Sequence, residues 1–164
     1  MPNPQVNARG DADTGGGTSG ATDCCRIVLG SDFAVASGAG ITVVTPWSNI
    51  VGPDPTGAWD SGAPDRLTPQ AGFKRVWANL HWANLTSSVR YNVFLTVGGI
   101  IISQALENTV DATGHSMTEW GMDLSGVVEF TGTDFLRLNV VGTGSLNATL
   151  LASTSMGFST LQGD

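Results

Sequence analysis

The stretch "LTPQAGFKRVWANLHW", Leu67 to Trp82, decides how the rest of the chain is read. Its first six residues form a turn: Pro69 fixes its own φ and offers no N–H, and Gly72 permits a backbone angle that other residues avoid. From Phe73 to Ala83 the pattern then alternates. Val76, Ala78, Leu80 and Trp82 share one face, and Arg75, Asn79 and His81 share the other. A period of two is the mark of a strand with one buried face. Just upstream, "TGAWDSGAPD" is a loop of Gly, Asp and Pro around Trp59.

Outward from this strand the signals remain β. Val89 to Val97 alternates over nine residues, with Val89, Tyr91, Val93, Leu95 and Val97 on the apolar side. Gly98 and Gly99 supply a hairpin turn, and Ile100 to Ser103 reads as the returning strand. Arg26 to Leu29 and Ile41 to Trp47 are apolar and rich in β-branched residues. Ser116 to Leu124, Val127 to Phe130, Phe135 to Val141 and Ala148 to Phe158 read as further strands. Eight to ten short strands without a helical pattern predict an all-β sandwich or barrel. The domain is expected over residues 23–164. Residues 1–22, rich in Gly, Thr, Ser and Asp, read as an arm with little to bury.

Composition narrows the function. Charged residues are 13% of the 164, against about 25% in typical soluble proteins. Fourteen acids against seven bases give a net charge of −7, and Lys74 is the only lysine. Binding of nucleic acid or an anionic membrane needs clustered Lys and Arg, so neither is expected as a direct partner. No segment has the ~20 apolar residues of a membrane-spanning helix, and the first twenty residues lack the apolar core of a secretory signal. The two cysteines, Cys24 and Cys25, are adjacent and make no disulfide framework; an intersubunit bridge is the alternative to free thiols.

Motifs that carry chemistry are sparse. His81 and His115 do not have zinc spacing, no Gly-x-Ser-x-Gly elbow occurs, and "VGTGS" lacks the lysine of a phosphate loop. Asp54, Asp60 and Asp65 lie close together and could hold calcium, but Asp is also a normal turn residue, which is the reading favoured here. No enzyme, cofactor or metal is expected.

The order of motifs carries a resemblance. "TVVTPWSNIV", "DPTGAWD", "DRLTPQAGFKRVWANLHW", "VRYNVFLTVGGIII", "DFLRLNVV" and "SMGFSTL" follow one another across residues 41–162. Leu67, Thr68, Pro69, Ala71, Gly72 and Phe73 match a turn leading into a central strand. Gly98 and Gly99 match a hairpin, and Gly157, Phe158 and Leu161 match a closing strand. The chain resembles the jelly-roll domain of the tumour-necrosis-factor-like and complement-head-like type, in its bacteriophage virion form. The resemblance implies a jelly-roll β-sandwich assembled as a homotrimer. Phe73, Trp77, Phe94 and Phe135, aromatics off the main apolar faces of their strands, are the expected interface residues. Trp47 and Trp59 are expected either to cap the core or to join that interface.

The role expected on this analogy is a capsid decoration protein of a bacteriophage. It would sit on the outer surface of the virion and bind the major capsid protein through the arm, with Asp11, Asp13, Asp23 and Arg26 as candidate contacts. A receptor-binding tip of a tail or head fibre, recognising host glycan or protein, is the alternative.

Overall fold

The computed structural model describes residues 23–36, 38, 40–85, 90–108, 117–143 and 148–161. These build eleven strands: β1 (Cys24–Leu29), β2 (Phe33–Val35), β3 (Thr42–Val43), β4 (Trp47–Ile50), β5 (Gly72–Leu85), β6 (Arg90–Val97), β7 (Ile100–Asn108), β8 (Met117–Phe130), β9 (Leu136–Thr143), β10 (Ala148–Leu150) and β11 (Ser155–Thr160). They form two sheets. The larger runs β2-β10-β5-β11-β1-β4, with β8 on the other edge of β5, and the smaller runs β3-β9-β6-β7. All the pairings are antiparallel.

β5 organises the larger sheet, as its alternation predicts. Val76, Ala78, Leu80 and Trp82 are all buried, and β8 pairs with it from Gly72–Phe130 to Leu85–Met117. On its other edge β5 is shared. β11 takes Lys74 to Asn79, and β10 takes Trp82 and Ala83. The smaller sheet turns Tyr91, Val93, Leu95 and Val97 inward beside Leu136, Leu138 and Val140. The two inner faces close on one apolar core. The β6–β7 hairpin has Val97 opposite Ile100, with both Gly98 and Gly99 at positive φ. That backbone matches the twist of the flanking strands, and it favours glycine.

Four boundaries differ from the sequence reading. Ile41 to Trp47 is not one strand: β3 belongs to the smaller sheet and β4 to the larger, and the chain crosses between them through Val44 and the cis Thr45–Pro46 bond. β-branched composition reports local propensity and cannot show which sheet a residue joins. The segments either side of Ser125–Gly126 are one 14-residue strand, β8, because the two small residues pair with Trp77 and Val76 without a break. Ala148 to Phe158 is two strands, separated by a turn closed by the Thr154 N–H donating to Leu151 O. β2 is a three-residue edge strand too short for a periodicity signal.

Candidate functional site

One end of the sandwich gathers the starts of β1 and β5 and the end of β11. Here the ammonium of Lys74 lies 2.8 Å from Asp23 Oδ2, with 3% and 6% of these side chains exposed. Lys74 also donates to Thr160 Oγ1 at 3.0 Å. Asp23 accepts from the Thr56 hydroxyl and from the Gln70 N–H, and its own carbonyl accepts from Thr160. The pair therefore ties the first strand, the Thr56 loop, the Pro69 turn and the last strand together. This corrects the expectation for Asp23. A carboxylate buried against an ammonium is not a free surface contact, and leaving its counter-charge unpaired would cost several kcal/mol, about 3–5 in comparable buried pairs. Asp11 and Asp13 lie outside the described residues.

The outer face of the larger sheet carries Arg26, Phe73 and Trp77. Trp77 faces Gly157 across the β5–β11 pairing, where an added Cβ would meet its ring at 2.5 Å. The Arg26 guanidinium lies 5.7 Å from the centre of that ring and its Nη2 is 3.4 Å from the Ser155 hydroxyl. Phe73 is 56% exposed and Val127 60%, and Leu161 donates its N–H to Phe73 O. Val127 faces Arg75, two positions along β5 from Phe73. At this end of the face exposed apolar and charged residues alternate beside an Arg–Trp stack: Glu129 stands opposite Phe73 and Arg75 opposite Val127. Cys24 lies on this face as well, opposite Ser159. Cys25 points into the core, and burial, with the nearby Asp54 carboxylate, pushes its thiol up to about 12.

Phe94 and Phe135 lie elsewhere, on the outer face of the smaller sheet. The four aromatics expected at one interface therefore divide between opposite faces of the sandwich. Sequence alternation tells which residues face away from the core, but not which sheet they face away from. Phe135 is flanked by two guanidinium groups, Arg66 at 5.0 Å and Arg137 at 4.3 Å from its ring centre. Asp65 bridges both arginines. Burial alone would raise the Asp65 carboxyl, but the hydrogen bonds and charges of Arg66 and Arg137 outweigh it and hold the group below its usual value. Phe94 is buried at the base of a cleft on this face.

The loop ahead of β5 is built from aspartates acting as turn residues. Asp54 accepts from the Ala58 and Trp59 N–H groups, and Asp60 accepts from the Gly62 N–H. Trp47 is fully buried in the core, and Trp59 packs partly buried against it. Of the two roles open to these tryptophans, both serve the core. His81 is exposed, and its Nδ1 lies 2.8 Å from the Ser153 hydroxyl; His115 lies outside the described residues. Among the described residues no three His, Cys, Asp or Glu side chains are placed to hold a metal.

No family model matches the chain, and no curated protein matches it. Solved structures do. An Eiger tumour necrosis factor from S. frugiperda superposes with a TM-score of 0.58 over 87% of this chain and 94% of its own, at 12% identity. The fold is tumour-necrosis-factor-like. Two antiparallel sheets closed into a jelly-roll sandwich account for the likeness, and at this identity it extends to architecture alone. Two features escaped the sequence reading. The Asp23–Lys74 pair joins residues 51 positions apart, and the arginine-flanked Phe135 depends on the Asp65 loop meeting β9.

Proposed function

We propose that this jelly roll is a structural protein of a bacteriophage particle: a homotrimeric decoration protein on the outer capsid surface that joins neighbouring capsomers through contact with the major capsid protein. The reading takes the protein as non-catalytic and virion-borne. The observation that carries it is the exposure of Phe73, Val127 and Leu161 on the larger sheet, interspersed with Arg75 and Glu129, at the end of the sandwich where Asp23 is anchored. Phe73 and Trp77 lie on that face and Phe94 and Phe135 on the opposite one; a three-fold ring contact joins two different surfaces of each subunit, so all four remain candidates for it. An arm leaving from the same end would be carried three times by a trimer, and linked contacts reinforce one another without each being strong. Arg26, exposed beside the Trp77 ring, remains a candidate capsid contact.

A second reading, a receptor-binding tip, draws support from the cleft on the smaller sheet, a concave site on the opposite face. Copy number per virion, by quantitative mass spectrometry against the major capsid protein, separates the two. Hundreds of copies support decoration. A few to a few tens support the tip, and absence from the particle removes both.

A further inference from the structure

The cleft at Phe94 holds about 210 Å³, smaller than the ~300–1,000 Å³ of pockets that take drug-sized ligands. Its walls are Ile41, Phe94, Ile101 and Phe135, with Arg137 at one side. The rest of its lining is Gly99 and two buried polar residues, Thr96 and Asn139, each 7% exposed, on the adjacent strands β6 and β9. The Asn139 Nδ2 donates to Thr96 Oγ1 at 2.9 Å. Among the described residues this bond leaves the Thr96 hydroxyl proton and the Asn139 carbonyl oxygen uncommitted. One donor and one acceptor thus stand side by side in the cleft, open to solvent at the Asn139 oxygen, while Arg137 Nε on the same lining is buried without a partner; a ligand that replaces water on the first pair has to reproduce its hydrogen bonds.

We propose that the cleft is a binding site for a phenol ring, as carried by a tyrosine side chain. The ring would lie between the Ile41, Phe94, Ile101 and Phe135 walls. Its hydroxyl would donate to Asn139 Oδ1 and accept from the Thr96 hydroxyl, using one proton and one lone pair. A plain hydrocarbon ring leaves both polar groups covered and unpaired. A sugar fits less well, because its several hydroxyls would press against apolar walls. The Arg137 cation on the lining favours an electron-rich ring. This site stands apart from the capsid reading, since it occupies the face opposite Phe73 and requires no virion.

The test is an NMR titration of the ¹⁵N-labelled protein with p-cresol, toluene, methyl α-glucoside and N-acetyl-tyrosinamide. Saturable shifts around Phe94, Thr96, Ile101 and Asn139 are expected with p-cresol, at an affinity about tenfold above that for toluene. Thr96→Val and Asn139→Leu should each erase that preference while the spectrum stays dispersed, which reports an intact fold. Binding of N-acetyl-tyrosinamide assigns the site to a protein tyrosine; binding of p-cresol alone assigns it to free phenols. Equal affinity for p-cresol and toluene, a preference for the glucoside, or no saturable shift overturns the proposal.

Discussion

Trp77 occupies the space that a side chain at residue 157 would need. A Cβ on Gly157 would lie 2.5 Å from the indole and 2.6 Å from the Cys25 carbonyl oxygen. The backbone oxygen cannot give way, and the indole can do so only by leaving its place under Arg26. Gly157→Ala is therefore expected to destabilise the fold by about 1–3 kcal/mol, the usual range for overpacking. Chemical denaturation with Trp fluorescence checks this. A change below about 0.5 kcal/mol, the range of a neutral surface substitution, would show that Trp77 is free to move.

Lys74→Met leaves the Asp23 carboxylate buried with no counter-charge. The expected loss is about 3–5 kcal/mol in urea unfolding. Adding Asp23→Asn to that variant should recover part of it, because the uncompensated charge is then gone. Equal stability of the single and double variants would mean that the pair is not the clamp described.

Acid should act through Asp65. Its folded value lies below its unfolded one, so its contribution is present above about pH 4 and is lost as pH falls through the folded value. Asp65→Asn is expected to lower stability at pH 7 and to flatten the slope of stability as pH falls below about 4. Thermal melts across that range give the answer, with unchanged slopes counting against the Arg66–Asp65–Arg137 bridge.

The two thiols should differ in reactivity. With Cys25 buried and its thiol pushed up to about 12, iodoacetamide at pH 8 should label Cys24 and spare Cys25 in the folded protein. Because the folded Cys25 value lies above the unfolded one, its stabilising contribution holds below about pH 8.5 and fades as pH climbs through the folded value. Peptide mapping after brief labelling distinguishes the residues, and equal modification would place Cys25 nearer solvent.

Phe73→Glu replaces an exposed aromatic with a charge, opposite Glu129, while leaving the core untouched. Under the trimer reading, sedimentation should show the assembly dissociating to monomer with an unaltered circular-dichroism spectrum. A variant that keeps the parent mass would move the interface to another face.

The strands were legible where apolar and polar residues alternate. β5 alternates because it packs against the other sheet on one side only, β6 alternates even though Phe94 and Thr96 on its outer face are buried too, and the Gly98–Gly99 hairpin is written in residues that suit positive φ. Sheet membership was not legible. Ile41 to Trp47 has the composition of a single strand, yet its two ends join different sheets. The candidate surfaces suffered from the same ambiguity: Phe94 and Phe73 each stand off an apolar face, and only the topology places them on opposite sides of the molecule. Asp23 looked like the last acid of a polar arm. Its burial follows from meeting Lys74, which local composition does not record.

Burying Lys74 has a practical consequence for studying any assembly. The chain's sole lysine is sealed against Asp23, so the described surface presents no ε-amine to the succinimidyl esters used in most cross-linking mass spectrometry. An apparent lack of lysine-linked neighbours would then reflect reagent chemistry and say nothing about contacts. Mapping of neighbours has to run through carboxylates such as Asp60, Asp123 and Glu129, or through the partly exposed thiol of Cys24.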